Sequence, residues 1–196
     1  MSNMTIRIPD HPVEPWIINR WSPRAMSGES LSKEELLSLF EAGRWAPSAY
    51  NAQPWNILYA EKKSKHWETL FQLLVEFNQS WCLNAAALFL FFSRPFFEHN
   101  QKPSPTHAFD TGAFWENFCL QGTSRGLVVH GMSGFDYEKA KSLIPDGYIP
   151  LAMCAVGKKG KIENLPPDLQ KKEFPSSRKK IEEFVFEGFV PKNHQK

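Results

Sequence analysis

The sequence has few cysteines, and none of them are paired by spacing. Cys82, Cys119 and Cys154 are far apart, odd in number and free of any CxxC motif. This pattern argues against both a disulfide framework and a cysteine-based zinc site. It fits a protein of a reducing compartment, and we expect a cytoplasmic location.

Long apolar runs are also missing. The most apolar run, residues 85–92, is far too short to span a bilayer. The first twenty residues contain Pro, Asp, His and Glu in place of a continuous apolar stretch, so we expect no signal peptide. The sequence therefore predicts no membrane partner.

Charge of one sign does not dominate the chain. The formal net charge is +2, too small to draw the whole protein to nucleic acid or to a membrane. Residues 158–180 are locally basic, with eight basic residues against three acidic ones. This stretch keeps local anion binding open, although its interspersed acidic residues and the lack of a known binding motif argue against a nucleic-acid contact.

The composition is that of a folded protein rich in aromatic residues. Of 196 residues, 42% are hydrophobic, 22% charged and 14% aromatic, which is enough to build a real core. We predict a single domain over residues 1–196 with an irregular lead-in at residues 1–15. Residues 181–196 are predicted to be a C-terminal arm, which could close over its own core or clasp a second subunit.

The clearest predicted element is a helix over residues 33–45, because Ser32 and Glu35 form a capping box at its start. Asp110 is expected to cap a later helix, and Gly126 to end it in a left-handed conformation. Periodicity and turn residues predict the remaining elements. These are strands over 56–60, 86–93 and 149–156, helices over 65–78, 111–125 and 136–144, a loop over 96–107 and a glycine-spaced turn over 130–136.

Residues 46–55, read APSAYNAQPW, combine a proline near each end with three neutral hydrogen-bonding side chains. Ser48, Asn51 and Gln53 can each donate and accept without carrying charge. Such groups beside apolar surface suit a planar, uncharged ligand edged with carbonyls and ring nitrogens, such as an isoalloxazine. The alternative is an ordinary loop between a helix and a strand, since Ala-Pro-Ser and Asn-Ala-Gln-Pro are common in loops.

Arg20, Ser22 and Arg24 are spaced so that their side chains converge. In a helix the two arginines lie four residues apart on one face, and in an extended chain all three side chains share a face. Two guanidiniums and a hydroxyl match a phosphate well, because arginine offers a planar fork of donors. The alternative is a solvated face without a ligand.

Taken together, these stretches resemble the nitroreductase family of FMN-dependent oxidoreductases, over residues 17–190. The resemblance implies five groups of cofactor-binding residues. Those at the flavin phosphate and ribityl chain are Arg20, Ser22 and Arg24, with Arg178 and Lys180 returning to the phosphate. The others are Pro47, Ser48, Asn51 and Gln53 in the APSAYNAQPW motif, Asn78 at a helix end facing the pyrimidine edge, and Met132, Ser133 and Gly134 at the turn near flavin N5. In the reduced flavin, Arg24 is expected to stabilise negative charge near N1 and O2. Trp81, Glu116 and Val128 depart from the family's pattern, which leaves substrate preference open.

The resemblance implies an α+β fold of the nitroreductase type. Such a fold has three layers, with a mainly antiparallel central sheet wrapped by helices, and assembles as an intertwined homodimer. FMN is expected in clefts at the subunit interface. The apolar arm over residues 181–190 would be the element exchanged between the subunits.

The same resemblance implies a nitroreductase-type flavoenzyme. NADH or NADPH would deliver hydride to flavin N5, leave, and be replaced by a small aromatic acceptor such as a nitroaromatic or a quinone, in a ping-pong cycle. No protein acid or base is expected to be essential, because the flavin carries the redox chemistry. Two alternatives keep FMN: another reaction on the same fold, such as dehalogenation or ring oxidation, or a protein that binds or senses FMN without turnover.

Overall fold

A computed structural model describes residues 7–191, so the first six residues of the predicted lead-in and the last five of the predicted arm lie outside the described residues. The helices are α1 (Pro15–Asn19), α2 (Lys33–Arg44), α3 (Trp67–Phe71), α4 (Glu76–Cys82), α5 (His107–Ser124), α6 (Tyr137–Lys141) and α7 (Pro167–Gln170). The strands are β1 (Trp55–Glu61), β2 (Ala87–Ser93), β3 (Leu127–Met132) and β4 (Ile149–Lys158). Short 3₁₀ turns lie at Ala49–Asn51, Ile162–Asn164 and Ile181–Glu183.

The four strands form one antiparallel sheet in the order β1-β2-β4-β3. Strand β2 is central, and all seven of its residues are buried. A continuous apolar run is expected of a strand covered on both faces, and the strand predicted over residues 86–93 is confirmed. The predicted strands at 56–60 and 149–156 are also confirmed, within two residues at each end.

Helices cover both faces of the sheet because alternate side chains of β2 point in opposite directions. Leu88 and Leu90 pack in one cluster with residues of α3 and α4. Phe89 and Phe91 pack in a second cluster with residues of α2 and α5. The result is a three-layer α+β arrangement with an antiparallel centre, as the family resemblance implied.

Helix α2 begins where the sequence predicts. The Ser32 hydroxyl accepts a hydrogen bond from the Glu35 backbone N–H at 3.1 Å, and the Glu35 carboxylate accepts one from the Ser32 backbone N–H at 2.7 Å. Both bonds of the predicted capping box are therefore present.

Helix α5 begins earlier than predicted. It starts at His107, so Asp110 lies in its first turn and not at its cap, and the prediction that Asp110 caps the helix is wrong. The Asp110 carboxylate instead accepts hydrogen bonds from the Thr106 hydroxyl and from the backbone N–H of Ala49. The end of the helix follows the prediction, because Gly126 has a φ of +74°.

The helix predicted over residues 65–78 is divided into α3 and α4. The backbone N–H of Asp136 donates to the Leu73 carbonyl at 2.8 Å, and that of Val75 donates to the Gly134 carbonyl at 3.2 Å. This pairing with a distant turn keeps Val75 extended, with φ −63° and ψ 152°. Asn78 consequently lies near the start of α4 and not at the end of a helix.

The predicted turn over residues 130–136 is shorter than expected. His130 and Gly131 belong to β3, which pairs with β4 along its whole length. The apolar residues that follow Gly126 extend the strand through Met132, so the turn begins only at Ser133. The helix predicted over residues 136–144 is present as the shorter α6, and the Asp136 side chain caps it by accepting a hydrogen bond from the Lys139 backbone N–H.

The two terminal segments lie mostly at the surface. Residues 7–14 are irregular, as predicted for the lead-in, and residues 20–24 are extended after α1 ends. Residues 181–191 form a single 3₁₀ turn and otherwise irregular chain. Phe184 and Phe189 are exposed there, by 58% and 78%. The arm thus leaves large apolar side chains at the surface.

Three further features limit the chemistry available to residues 7–191. Within this range no helix combines the length and hydrophobicity needed to cross a bilayer, and no three His, Cys, Asp or Glu side chains are grouped to hold a metal ion. Cys82, Cys119 and Cys154 are free and buried. Burial raises the pKa of each thiol, so these cysteines are unreactive at neutral pH.

The contact between α2 and α5 depends on Gly43, and this gives a first prediction. A Cβ atom added to Gly43 would overlap the ring of Phe114, which is itself buried. We expect Gly43→Ala to lower the free energy of unfolding by about 1–3 kcal/mol, despite the roughly 1 kcal/mol that alanine gains over glycine in a helix. Urea unfolding measures the difference.

Gly112→Ala is the matched control for this substitution. Gly112 also lies in a helix, but nothing is within 4 Å of an added Cβ there. This variant should be as stable as the wild type or slightly more stable. Equal stability changes in the two variants would contradict the role given to the Gly43–Phe114 contact.

Candidate functional site

A cavity of about 440 Å³ lies where α5 crosses the end of the sheet. We call it the sheet cavity. Its walls come from the extended chain after α1, from the first half of α5, and from the ends of β2, β3 and β4. The lining residues are Arg20, Ser22, Phe91, Ala108, Thr111, Gly112, Trp115, Glu116, Gly131, Met132, Ser133, Leu151 and Ala152.

Two local features of the backbone shape this cavity. The pairing of β2 with β4 shifts register between Phe91 and Phe92, which leaves Leu151 as an extra residue on β4. Bulges of this kind bend a strand and redirect its side chains beside functional sites. On β3, a Cβ on Gly131 would lie 2.7 Å from the Trp115 ring, so only glycine lets α5 approach the strand this closely.

Arg20 and Ser22 stand together on one wall of the sheet cavity. The Arg20 Nη1 atom donates to the Ser22 hydroxyl at 3.2 Å, which confirms that the extended geometry brings these side chains together. The Arg20 Nε atom lies 4.0 Å from a carboxylate oxygen of Glu116. The Arg20 side chain is only 17% exposed, whereas that of Glu116 is 51% exposed. The guanidinium is therefore held at the cavity by neighbours on two sides.

Arg24 lies deeper than Arg20. Its guanidinium carbon is 5.9 Å from the centroid of the Trp81 ring, and that ring lies 4.6 Å from the ring of His130. The Arg24 Nε atom is buried and has no hydrogen-bond partner among residues 7–191. A buried donor of a charged group without an acceptor is costly, so Arg24 is a candidate to hold a ligand.

Glu173 holds the backbone of this segment from below. One carboxylate oxygen accepts hydrogen bonds from the backbone N–H groups of Arg24 at 2.6 Å and Ala25 at 2.8 Å. Glu173 is 8% exposed, and it lies 149 residues along the chain from Arg24. It is a structural residue that sequence reasoning missed, because no local pattern links a glutamate in a basic tail to an arginine near the N-terminus.

Asn78 is in direct contact with the turn over residues 132–134. The Asn78 side-chain amide donates to the Gly134 carbonyl at 2.9 Å. A Cβ on Gly134 would lie 2.7 Å from that amide nitrogen, so the glycine permits the contact. Met132 and Ser133 line the sheet cavity beside it.

Arg178 and Lys180 belong to a second cavity of about 790 Å³, which we call the terminal cavity. It lies between the N-terminal and C-terminal segments and shares Arg20 and Glu116 with the sheet cavity. Its lining residues are 7–13, 17, 18, 20, 116, 176–181 and 184. Arg178 is exposed and donates to the backbone carbonyls and the side chain of the two preceding serines. Arg178 and Arg20 therefore line the same cavity.

The APSAYNAQPW motif is not part of either cavity. Pro47, Ser48, Asn51 and Gln53 line neither the sheet cavity nor the terminal cavity within one chain. The Ser48 hydroxyl accepts a hydrogen bond from the Gln53 backbone N–H at 3.0 Å. The motif is tightly folded, with positive φ at Tyr50, Asn51 and Gln53. Three of the four predicted side chains, those of Pro47, Asn51 and Gln53, are exposed.

Arg94 connects this motif to the loop over residues 96–107. Its guanidinium donates to the Ala52 carbonyl at 3.0 Å and to the Phe96 carbonyl at 3.2 Å. The rings of Tyr50 and Phe97 meet edge to face at 5.6 Å. Arg94 is a second residue that sequence reasoning missed, and its hydrogen bonds to both segments join the motif and the loop into one surface.

The two histidines at the site are fixed by hydrogen bonds. The Ser93 hydroxyl lies 2.7 Å from Nδ1 of His107, and Ser93 is fully buried. Nδ1 of His130 donates to the Pro23 carbonyl at 2.8 Å. Burial lowers the pKa of His130 to about 4, helped by the positive charge of Arg24 and opposed by that hydrogen bond. His130 is therefore neutral near pH 7.

The low pKa of His130 predicts a pH dependence of stability. An unfolded histidine has a pKa near 6.5. Between pH 6.5 and about 4, His130 is therefore protonated in the unfolded chain and neutral in the folded chain. Stability contributed by neutral His130 is complete above pH 6.5 and is lost as the pH falls towards 4. We expect His130→Gln to remove about 2 kcal/mol of this dependence between pH 7.5 and 5.0, as measured by urea unfolding at pH 7.5, 6.0 and 5.0.

His99→Gln serves as the control, because His99 is exposed on the loop over residues 96–107. That variant should keep the wild-type dependence on pH. A His130→Gln variant that loses stability in parallel with the wild type as the pH falls would contradict the assignment.

Solved structures resemble this arrangement closely. A structure described as an oxidoreductase containing FMN is 39% identical, covers 97% of this chain and 99% of its own, and has a TM-score of 0.91. A putative nitroreductase of Desulfovibrio desulfuricans in complex with FMN is 22% identical, covers 92% and 100%, and has a TM-score of 0.71. A nitroreductase family protein of Clostridium difficile 630 is 19% identical, covers 89% and 97%, and has a TM-score of 0.68. The last two show a shared fold.

Sequence comparison leads to the same family. An uncharacterized 15.4 kDa protein in the ask 5′ region of Mycolicibacterium smegmatis is 32% identical over 83 residues, which are 41% of this chain and 56% of that protein. The chain thus matches only about half the length of that relative. The model of the nitroreductase family matches residues 17–158, which run from within α1 to the last residue of β4. The chain therefore belongs to the nitroreductase family.

Proposed function

We propose that this protein is an FMN-dependent oxidoreductase that uses NADH or NADPH as reductant and acts as a homodimer. The observation that carries the proposal is the sheet cavity with its cationic wall. Arg20 and Ser22 line it, and Arg24, two residues after Ser22, has a buried Nε without a hydrogen-bond partner in the described part of the chain. The 39% identical structure described as containing FMN supports the choice of cofactor.

The residues present fit FMN in their chemistry. A flavin has carbonyl oxygens and ring nitrogens at one edge and a phosphate at the end of a flexible chain. The unpartnered Nε of Arg24 is a donor suited to the flavin edge near N1 and O2. Arg20, Ser22, Arg178 and Lys180 are donors suited to the ribityl chain and the phosphate.

The turn over residues 132–134 would lie beside the reactive part of the cofactor. Asn78 holds the Gly134 carbonyl, and it would face the pyrimidine edge. Met132 is buried while Ser133 is exposed, so the turn presents one apolar and one polar group to the same cavity. Rigid positioning of this kind is what the protein contributes to flavin chemistry.

When bound, FMN supplies the redox chemistry, accepting hydride from NADH or NADPH at N5 and passing it to a nitroaromatic, quinone or similar acceptor in a ping-pong cycle. The chain's own residues bind and orient. His130 is neutral and hydrogen-bonded to a backbone carbonyl, and Ser93 binds His107. Neither histidine lines the sheet cavity, and the proposed mechanism gives neither of them a role as acid or base.

A second copy of the chain would complete the site. The APSAYNAQPW motif presents Asn51 and Gln53 to solvent away from both cavities. Large apolar side chains around it are also exposed, with Tyr50 at 88%, Trp45 at 72% and Phe109 at 81%. Exposed aromatic patches of this kind mark interaction surfaces. We assign this surface and the arm over residues 181–190 to the dimer interface, with the motif reaching the partner's flavin.

The visible absorption spectrum of the purified protein tests the cofactor. We expect a flavin spectrum that is released as FMN on denaturation and bleached by anaerobic addition of NADPH or NADH. A bound flavin that neither nucleotide reduces would favour a binding or sensing protein or a different reductant. A colourless protein that cannot be reconstituted with FMN would overturn the proposal.

Mixed dimers test whether two copies share each site. Arg20→Ala and Asn51→Ala should each weaken FMN binding, by about tenfold to a hundredfold where a charged hydrogen bond is lost. In a purified heterodimer of the two variants, a shared site predicts one doubly changed site and one native site. FMN titration should then recover one tight site per dimer. Two weakened sites, each matching the affinity of one of the single-variant homodimers, would show that each chain binds FMN alone.

A further inference from the structure

Arg7 connects three separate segments of the chain. Its Nη1 atom donates to the backbone carbonyls of Ile18 at 2.9 Å and Arg20 at 2.7 Å. Its Nε atom donates to the Ser176 carbonyl at 3.1 Å, across 169 positions of sequence. Arg7 therefore fixes the N-terminal segment against the chain before Arg20 and against the chain before Arg178.

The arrangement also concentrates positive charge. Five basic side chains and two acidic ones line the terminal cavity, so its formal charge is +3 with His11 neutral. Burial lowers the pKa of Arg7, and the charges of Arg178 and then Arg20 lower it further. Like charges brought together without enough carboxylates destabilise the fold unless an anion joins them.

We propose that Arg7 is the third guanidinium of the subsite for the cofactor's phosphate, together with Arg20 and Arg178. The proposal rests on the proposed function, since it places a residue at the phosphate of FMN. Three observations carry it: the Arg7 hydrogen bonds to the Ile18 and Arg20 carbonyls, the shared cavity, and the surplus of positive charge there. The family resemblance gives Arg178 to the phosphate but no role to Arg7, which lies outside the matched residues 17–158.

The geometry leaves part of Arg7 available for a ligand. Nη1 and Nε are occupied by carbonyl groups, while Nη2 makes no hydrogen bond with the rest of residues 7–191. A guanidinium held by two of its nitrogens presents the third in a fixed direction. Arg7 would thus bind the phosphate with Nη2 and position the backbone of Arg20 with Nη1.

Comparison of FMN with riboflavin tests this role, because riboflavin is the same flavin without the phosphate. The full-length protein is freed of flavin, and quenching of flavin fluorescence gives the dissociation constant of each ligand. Arg7→Gln should weaken FMN binding by about tenfold to a hundredfold and change riboflavin binding by less than about twofold. Arg7→Lys keeps the positive charge but loses the planar set of donors of a guanidinium. Its dissociation constant for FMN should lie between those of the wild type and Arg7→Gln.

Arg44→Gln is the matched control, since it removes one positive charge from a residue that pairs with Glu41 and lines neither cavity. It should leave both dissociation constants unchanged. Equal loss of FMN and riboflavin binding in Arg7→Gln would make Arg7 a purely structural residue and overturn the proposal, as would unchanged FMN binding. A wild-type protein that binds neither flavin would instead overturn the proposed function and the subsite with it.

Discussion

Burial of β2 on both faces is the constraint from which the rest of the structure follows. Each of its residues loses nearly all contact with water, so helices must cover the sheet on two sides. Leu88 and Leu90 require α3 and α4 on one side, and Phe89 and Phe91 require α2 and α5 on the other. The sheet cavity opens where this packing ends, at the irregular pairing opposite Phe91.

The polar groups of the site are held by this apolar frame and by one another. Glu173 fixes the backbone at Arg24 with two short hydrogen bonds, and Asn78 fixes the turn at Gly134. Each such bond contributes only about 1–3 kcal/mol, far less than the burial of the aromatic core. Their effect is on position: they leave the Arg24 guanidinium beside Trp81 with a donor unused.

Features encoded within a few residues could be predicted from the sequence, whereas those that join distant segments could not. The capping box at Ser32 and the buried strand β2 need only local pattern, and both are confirmed. The predicted helix over residues 65–78 is divided because Leu74 bridges to Phe135, 61 positions away. Glu173 and Arg7 act over still longer separations. The family resemblance supplied candidate site residues that no periodicity would reveal.

The separation between the motif and the cavities bears on why the site would need two chains. Asp110 of α5 accepts a hydrogen bond from the Ala49 backbone N–H and so holds the motif. Other residues of the same helix, Ala108, Thr111 and Gly112, line the sheet cavity. One helix thus carries both halves of the predicted site on different faces. The motif cannot turn round the helix without breaking its bonds to Asp110 and Arg94. In the proposed dimer, the motif is anchored rigidly to its own subunit, and this anchoring would fix its position at the cofactor of the other subunit.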